Sequence, residues 1–311
     1  MKILLTGSSG QLGKSIVRSK PNNINLISLN RSKLDLEDTK KCFKKILKEK
    51  PDWIINCAAY TDVDKAECER EKAFKINHIA PKEFAKALSS YGGKLMQIST
   101  DYVFRGDKNQ PYLISDKVAP INVYGNSKAL GENAIKNILK DPNQYIILRT
   151  SWLVSPFGKN FVLTILKLLN NEKEIKVIND QIGAMTSTIT LAQICWKLID
   201  KNVYCSKNNL LFPSINHWSE EGIISWYDIA VAIKEISLEI GLLKDCAKVF
   251  PVTTNQYKFI ALRPRYSVLE CRDTEKLIKC KRSNWKSSLL KILLDIQKTK
   301  FEKDFYLNEE L

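Results

Sequence analysis

The chain has 311 residues, of which 44% are hydrophobic and 27% are charged, a composition typical of a globular protein with a large buried core. No apolar run approaches the roughly 18 residues that a membrane span needs. The N-terminal segment MKILLTGSSG shows no signal-peptide cleavage site. We therefore expect a cytoplasmic protein that does not associate with membranes.

The formal net charge of +15 comes from an excess of lysine, and a basic chain could in principle bind nucleic acid. In TKKCFKKILKEK, however, the apolar residues Phe43, Ile46 and Leu47 share one helical stripe and the lysines lie outside it. This pattern is typical of a solvated helix face. We predict no nucleic-acid partner, although a basic surface would attract a phosphorylated substrate or cofactor.

The cysteines and histidines do not form a recognisable metal motif. The chain has eight cysteines without a CxxC pair, and its only histidines are His78 and His217. A zinc site would need clustered ligands at short spacing. We interpret the cysteines as free, reduced thiols, several of them buried in apolar runs.

Short apolar runs alternate with amphipathic segments through the first half of the chain. The runs read as buried parallel strands at 2–6, 24–29, 53–58, 94–99 and 145–150, separated by helical patterns at 11–19, 38–49, 71–90 and 124–140. This alternation predicts the α/β class, with a Rossmann-type doubly wound parallel sheet.

After the segment RTSW the alternation of apolar runs and amphipathic segments changes, which indicates a second, smaller lobe. Helices are predicted at 160–170, 190–201, 225–241, 273–279 and 285–297, with a short strand in KVIND. We interpret residues 1–155 as an NAD(P)-binding Rossmann domain. Residues 156–311 then form mainly an α+β substrate-binding lobe, with some segments returning to the first domain.

The segment TGSSGQLG follows the first strand and opens a helix, which places Gly7, Gly10 and Gly13 in a GxxGxxG pattern. Glycines allow the backbone to turn sharply and to approach an anion. A helix N-terminus offers unpaired N–H groups and a partial positive charge to a pyrophosphate. After the first strand of an α/β alternation, the pattern predicts dinucleotide binding.

The end of the second strand bears on the choice of cofactor. NAD-preferring sites usually carry an acid there, whereas this chain has Asn30 followed by Arg31. A guanidinium can pair with a 2′-phosphate, which favours NADPH and leaves NADH as an alternative. Arg31 could instead be a solvated turn residue. Asp35 and Leu36 follow closely enough to meet the adenine.

Tyr124 and Lys128 stand four residues apart near the start of a helix, so they share one face. Reduction of a carbonyl needs a proton, and a phenol can supply it. An adjacent ammonium and an oxidised nicotinamide would both lower the pKa of a phenol from about 10 toward neutrality. In so lysine-rich a chain, about one such pair is also expected by chance.

The preceding segment QISTDYVF decides between these readings of the pair. Its strand end exposes Thr100 and Asp101, and open α/β sheets place their chemistry at such strand ends. Thr100 is the natural third partner, because its hydroxyl can hydrogen-bond the substrate oxygen. We therefore interpret Thr100, Tyr124 and Lys128 as a catalytic group.

Taken together, several segments resemble the dTDP-4-dehydrorhamnose reductase family, of the extended short-chain dehydrogenase/reductase class. They extend from residue 1 to about 290 and are TGSSGQLG, CAAYTDVDKAE, STDYVF, VYGNSKALGE, LRTSW, INDQIGAMT and RPRYSVL. The resemblance implies NAD(P)H-dependent reduction of the 4-keto group of dTDP-4-dehydro-L-rhamnose, a nucleotide sugar, to give dTDP-L-rhamnose.

The resemblance also implies roles for individual residues. Tyr124 would donate the proton with Lys128 as its partner, and the substrate would contact Thr100, Asp101, Tyr124 and Trp152. From the phosphate loop, the second strand and the resemblance together, the expected cofactor-binding residues are Gly7, Gly10, Gln11, Leu12, Gly13, Asn30, Arg31, Asp35, Leu36, Ala58, Ala59, Tyr60, Thr61, Ile98, Tyr124 and Lys128.

The chain departs from the family pattern in two respects. Some members carry an acid where this chain has Asn30, which leaves the cofactor preference open. Some members also bind magnesium between subunits through glutamates, and Ser15 and Lys286 occupy two of the corresponding positions here. We predict no such metal site. Both a monomer and a homodimer remain compatible with the sequence.

Other functions on the same fold remain as alternatives. A related 4,6-dehydratase typically places Asp-Glu after the threonine, whereas Asp101 and Tyr102 follow it here, which disfavours elimination of water. Another nucleotide-sugar 4-ketoreductase is a further alternative. The last is a non-catalytic binding module similar to the regulatory β subunit of methionine adenosyltransferase, which the complete set of Thr100, Tyr124 and Lys128 disfavours.

Overall fold

The computed structural model describes the backbone of residues 1–308 and the side chains of residues 1–299. Strands and helices alternate through the first half of the chain. The strands are β1 (Lys2–Thr6), β2 (Asn25–Leu29), β3 (Trp53–Asn56), β4 (Lys94–Thr100) and β5 (Tyr145–Thr150). The helices are α1 (Gln11–Arg18), α2 (Thr39–Glu49), α3 (Val63–Cys68), α4 (Arg70–Phe74), α5 (Ala80–Ser89) and α6 (Val123–Ile138), with a π-helical turn at Lys75–Ile79 between α4 and α5.

The second half has shorter strands and longer helices. The strands are β6 (Leu153–Val154), β7 (Glu174–Ile178), β8 (Ile182–Gly183), β9 (Thr186–Ser187), β10 (Ile215–Trp218), β11 (Ile224–Ser225) and β12 (Lys248–Val252). The helices are α7 (Phe161–Asn171), α8 (Thr188–Lys207), α9 (Trp226–Glu239), α10 (Arg272–Ile278) and α11 (Trp285–Asn308). None of the helices within residues 1–308 combines the length and the apolar character that crossing a bilayer requires.

Six parallel strands form the main sheet in the order β10-β5-β4-β3-β1-β2. The predicted Rossmann-type sheet is thus confirmed. From β1 the chain builds outward in both directions, so the strand order reverses between β1 and β3. Ligands of such sheets bind outside the carboxyl ends of the strands at this reversal.

No sequence pattern predicts the edge strand β10, which returns from the second half of the chain to pair with β5. Its sequence INHW lacks a continuous apolar run because Asn216 and His217 are buried polar residues. Burial and the Arg149 guanidinium lower the pKa of His217 to about 3, so its imidazole is neutral. The division of the chain at residue 155 stays a prediction.

The second half of the chain forms its own small sheets and apolar cluster. β7 pairs in parallel with β12, β6 pairs in parallel with β9, and β8 is antiparallel to β11. Helix α9 packs against α7 and α11, and the three helices share one buried apolar cluster. Residues at the carboxyl ends of the main sheet line one cavity together with Leu153, Gly158 and Lys159.

Glu220, just after β10, is a fully buried carboxyl group that should make stability depend on pH. Its Oε1 accepts the Ser187 N–H at 3.3 Å, and burial raises its pKa from 4.5 to about 7. A raised folded-state pKa contributes stability below pH 4.5 that is lost as the pH rises through about 7. We expect Glu220→Gln to remove this pH-dependent loss of stability, which amounts to at most about 3 kcal/mol.

Urea unfolding at about pH 5 and about pH 8 measures the effect on the free energy of unfolding. Glu221→Gln, at the exposed neighbouring position, is the matched control and should behave like the wild type. The same decline with pH in Glu220→Gln as in the wild type would contradict this assignment.

Candidate active site

The loop between β1 and α1 has the geometry expected of a phosphate-binding turn. Gly7 has φ +65°, and a Cβ there would lie 2.7 Å from the Ala58 nitrogen. A Cβ on Gly13 would lie 2.2 Å from the Gly7 oxygen. A side chain at Gly7 would clash with the backbone after β3, and one at Gly13 would force α1 away from the loop, so glycine is required at both positions.

Helix α1 directs its N-terminus toward this loop. Its N-cap is Gly10, and no side chain caps the first turn. The first N–H groups of an α-helix have no partner within the helix, so they can bind an anion. The tight glycine turn and the uncapped helix end together fit the pyrophosphate of a dinucleotide.

A cavity of about 460 Å³ extends from this helix end across the reversal of strand order. Most of the predicted cofactor-binding residues line it: Gly7, Gly10, Gln11, Leu12, Gly13, Arg31, Asp35, Leu36, Ala58, Ala59, Thr61 and Ile98. These residues come from four separate stretches of the chain, and the fold brings them together around one cavity. Their roles toward a cofactor stay predictions.

Four of the predicted cofactor-binding residues do not line this cavity: Asn30, Tyr60, Tyr124 and Lys128. The Asn30 side chain instead accepts hydrogen bonds from the Ser32 hydroxyl at 2.8 Å and the Lys33 N–H at 3.1 Å, so it stabilises its own turn. The backbone N–H and carbonyl of Tyr60 are both bonded by the Asn77 side chain, at 2.9 and 3.0 Å.

Arg31 lies at the cavity wall but is already paired with acids. Its Nε donates to Asp35 at 3.3 Å, and its Nη2 donates to Glu37. The side chain is 66% exposed, so these pairs are weak and exchangeable. A 2′-phosphate would therefore compete with two carboxylates for this guanidinium.

Tyr124 lies in the first turn of α6, beside the end of β4. The N-cap of α6 is Asn122, whose side chain accepts the Gly125 N–H at 2.7 Å. Burial of the Tyr124 hydroxyl raises its pKa above the ordinary value, and a hydrogen bond with the Thr100 hydroxyl opposes this rise. At neutral pH the phenol therefore keeps its proton and can donate it.

Lys128 is 5% exposed and is not a solvated surface lysine. Its Nζ donates to the Ile98 carbonyl at 2.6 Å, which places the ammonium behind the cavity wall. Burial lowers its pKa to about 8, and the Glu132 carboxylate one turn later opposes this shift. The side chain is therefore mostly cationic at pH 7 and loses its charge above about pH 8.

Glu132 belongs to a buried polar network behind the pair. It accepts hydrogen bonds from Arg149 Nη2 at 2.7 Å and from the Ser99 hydroxyl at 2.5 Å. Both members of the Glu132–Arg149 pair are 1% exposed. Removing either partner would leave the other as an unpaired buried charge, which is strongly destabilising. The intact network therefore fixes α6 against the sheet.

Asp101 is a buried carboxyl group at the same strand end. It is 2% exposed, and burial raises its pKa to about 6. Its Oδ1 accepts the Thr100 hydroxyl at 3.0 Å, and its Oδ2 has no hydrogen-bond partner within the described part of the chain. The structure thus brings Thr100, Asp101 and Tyr124 together, and their roles stay predictions. An unpaired buried acceptor suits a substrate hydroxyl.

Comparison with known proteins agrees with this geometry. A family model described as the RmlD substrate binding domain matches residues 1–298. SpsK, a spore coat polysaccharide biosynthesis protein of Bacillus subtilis, is 39% identical over 88% of this chain and 91% of its own length. The dTDP-4-dehydrorhamnose reductase of Aggregatibacter actinomycetemcomitans is 34% identical over 94% of this chain and 98% of its own.

A crystal structure of dTDP-4-dehydrorhamnose reductase from Bacillus anthracis, in complex with NADP, superposes with a TM-score of 0.84. Its sequence is 34% identical, and the match covers 94% of this chain and 99% of that one. The chain belongs to the dTDP-4-dehydrorhamnose reductase family. The resemblance inferred from the sequence segments is thereby confirmed.

Trp152, which the family resemblance assigns to the substrate, is held in an unusual conformation. Its φ of +43° lies in the left-handed region, where a bulky residue is strained. Its ring stacks on Trp226 with centroids 3.8 Å apart, and a Cβ on Gly183 would lie 2.5 Å from it. The next residue, Leu153, lines the cofactor cavity, whereas neither tryptophan does.

The two departures from the family's metal pattern have other contacts here. Ser15 is buried and donates to the Thr188 hydroxyl at 2.9 Å, which joins α1 to α8. Lys286 is exposed, and its Nζ lies 5.6 Å from the centroid of the Trp285 ring. Within residues 1–299 no group of three or more metal-ligating side chains comes together. That this chain has no magnesium site between subunits stays a prediction.

The sequence did not identify several residues of the cavity wall: Ser9, Leu34, Cys57, Ile76, Leu153, Gly158 and Lys159. Lys159 is the additional cation among them. Its loop reaches α1 because Gln11 donates to the Lys159 carbonyl at 3.3 Å and accepts the Ser155 hydroxyl at 2.9 Å. The segment SPFGKN is typical of an ordinary loop, and nothing in it predicts a contact with helix α1.

Proposed function

We propose that this member of the dTDP-4-dehydrorhamnose reductase family uses NADPH to reduce the 4-keto group of dTDP-4-dehydro-L-rhamnose, with NADH as a weaker alternative. One observation carries the chemistry: the half-buried, protonated phenol of Tyr124 lies beside the Thr100 hydroxyl, and Lys128 donates to the carbonyl of Ile98, a residue of the cavity wall. The names of its relatives supply the substrate.

The residues of the site divide the work of reduction among them. A bound NADPH would supply the hydride for the carbonyl carbon. Tyr124 donates a proton to the carbonyl oxygen, so the ketone becomes an alcohol and the phenol becomes a phenolate. Thr100 hydrogen-bonds the same oxygen, and the Lys128 ammonium stabilises the phenolate that remains. Asp101 and Trp152 hold the sugar.

The relationship to SpsK leaves another nucleotide-sugar 4-ketoreductase as the second candidate, because SpsK is named for spore coat polysaccharide biosynthesis. The deciding experiment is NADPH oxidation by the purified chain with dTDP-4-dehydro-L-rhamnose, followed by identification of the product sugar. Formation of dTDP-L-rhamnose supports the proposal. No oxidation with this substrate, but turnover of another 4-keto sugar, would move the assignment to the second candidate.

Cofactor choice provides a separate test of the cavity. If Arg31 exchanges its carboxylate partners for a 2′-phosphate, Arg31→Ala should weaken NADPH binding by about 1–3 kcal/mol. NADH lacks that phosphate, so its dissociation constant should stay nearly unchanged. Fluorescence titration of both cofactors measures the difference.

Lys33→Ala is the matched control, because Lys33 is a neighbouring cation that does not line the cofactor cavity. It should bind both cofactors as the wild type does. Equal losses of NADPH and NADH affinity in Arg31→Ala would show that this guanidinium does not recognise the phosphate.

A further inference from the structure

A segment of the second lobe crosses to the first lobe beside the site. Residues 257–263, here called the strap, begin at Tyr257, whose hydroxyl donates to the Lys176 carbonyl on β7 at 3.1 Å. The strap then reaches Asp64 on α3. The Asp64 Oδ1 accepts the Ile260 and Ala261 N–H groups at 3.2 and 3.0 Å.

The same carboxylate also holds the far end of the strap. Arg263 Nη2 donates to Asp64 Oδ2 at 2.6 Å, and the two side chains are only 15% and 32% exposed. One acid thus receives three donors from the other lobe. A partly buried, charge-assisted set of this kind is stronger than a surface ion pair.

The strap is tied to the catalytic helix as well. Asn122, the N-cap of α6, donates through Nδ2 to the Leu262 carbonyl at 2.8 Å. Helix α3 holds the same turn, because Glu67 accepts the Val123 N–H at 2.9 Å. The strap and α3 therefore both bind the helix end that carries Tyr124.

Arg263 extends these contacts to the catalytic ring. Its guanidinium lies 4.3 Å from the centroid of the Phe259 ring. It is also near enough to Tyr102 that its charge lowers the pKa of that phenol, against the larger rise that burial causes. The Tyr102 ring meets Tyr124 edge-on, with centroids 5.8 Å apart. A continuous series of contacts thus leads from Asp64 through Arg263 and Tyr102 to the phenol.

Apolar packing contributes little to holding the strap. The side chains of Tyr257, Ile260 and Leu262 are 45%, 67% and 70% exposed. A segment with few buried apolar contacts opens at low free energy. Its attachment therefore depends on the polar contacts, and most of these converge on Asp64.

We propose that Asp64 is the latch that keeps the strap closed, and that Asp64 and Arg263 are positioning residues for Tyr124. Closed, the strap keeps the Tyr102 ring against the catalytic ring and fixes the start of α6. The strap does not line the cofactor cavity, so the latch should act on turnover and on the sugar nucleotide, not on cofactor binding. The kinetic part of this inference rests on the proposed function.

Amide hydrogen exchange tests the latch without any substrate. In Asp64→Ala, the Ile260 and Ala261 amides should exchange roughly tenfold faster or more, because each loses its acceptor. Trypsin should also cleave faster after Lys258, which is exposed within the strap. Asp64→Asn keeps an acceptor for the two amides but loses the ion pair, so its exchange should be intermediate. This variant also serves if the alanine variant does not fold.

Asp62→Asn is the matched control. It removes the same charge from the start of α3, and Asn caps a helix as well as Asp does. Its exchange and cleavage should equal those of the wild type. Unchanged exchange at Ile260 and Ala261 in Asp64→Ala would overturn the latch.

Kinetics test the positioning role. Asp64→Ala should lower kcat/KM for the sugar nucleotide about tenfold or more while the NADPH dissociation constant stays constant. Arg263→Lys keeps the charge but lacks the two-pronged guanidinium, so it should restore only part of the activity that Arg263→Leu loses. Wild-type kcat and KM in all of these variants would refute positioning. No turnover by the wild type would contradict the proposed function, and exchange then decides the latch alone.

Discussion

Tyr124→Phe is expected to lower kcat about 10²–10⁴-fold, the range for losing a positioned proton donor. The substitution removes one hydroxyl and keeps the ring, so the edge-on contact with Tyr102 remains. The Thr100 hydroxyl still donates to Asp101 at 3.0 Å and is not left without a partner. Circular dichroism and the NADPH dissociation constant should therefore match those of the wild type while turnover falls.

Tyr91→Phe is the control for this loss. Its hydroxyl also makes a hydrogen bond, donating to the Pro51 carbonyl at 3.1 Å, but it lies outside the candidate site. This variant should keep wild-type kcat. If Tyr124→Phe turned over substrate at the wild-type rate, another group would have to supply the proton.

Lys128→Met is expected to have the second large effect, and it should separate function from stability. The variant keeps much of the stem length and the helix propensity but deletes the charge. If the ammonium stabilises the phenolate, its loss should raise the pKa that governs the reverse reaction, sugar oxidation. If the ammonium also donates to the nicotinamide ribose, cofactor affinity should fall by about 1–3 kcal/mol.

Stability should change in the opposite direction. The folded protein lowers the Lys128 pKa from 10.5 to about 8, so a buried charge destabilises the wild type at neutral pH. Lys128→Met removes that cost, and the free energy of unfolding at pH 7 should rise by about 1–3 kcal/mol. The Ile98 carbonyl keeps a donor, since Gln97 Nε2 also reaches it at 2.8 Å.

The pH dependence gives the sign of this effect. Between about pH 8 and pH 10.5 the folded wild type loses the Lys128 proton before the unfolded chain does, so its stability rises with pH. The advantage of Lys128→Met should shrink across this window. Lys136→Met, two turns later on α6, is the control. If Lys128→Met left the pH–rate profile, the cofactor affinity and the free energy of unfolding unchanged, Lys128 would be an ordinary helix lysine.

Local patterns in the sequence determined the α/β class, the phosphate loop and the pairing of Tyr124 with Lys128. Strands buried on both faces, such as β3 and β5, appear as continuous apolar runs because every side chain enters the core. The requirement for glycine at Gly13 comes from the backbone of Gly7 and Ser8, a few residues away, and the positive φ of Gly7 is likewise a local feature of the turn. Such signals depend only on near neighbours in the chain.

The tertiary structure decided what the residues contact. Nothing in INHW predicts that β10 completes the main sheet, and nothing near Asp64 predicts that it binds Ala261. The Asn30 side chain, expected at the cofactor, accepts a hydrogen bond within its own turn. Lys159 lines the cavity although no sequence pattern predicts it there. The direction of the Lys128 pKa shift likewise follows from how deeply β4 and α6 bury the ammonium.

The physical reason for this division is the range of the interactions. Helix periodicity, turn sterics and the i, i+4 spacing act over one or two turns of chain, so the sequence contains them whole. Burial, partner choice and pKa depend on segments that meet across the fold, as Asp64 and Arg263 do over 199 residues. Which carboxylate accepts from which amide, and how far water is excluded from both groups, is determined only by the folded chain.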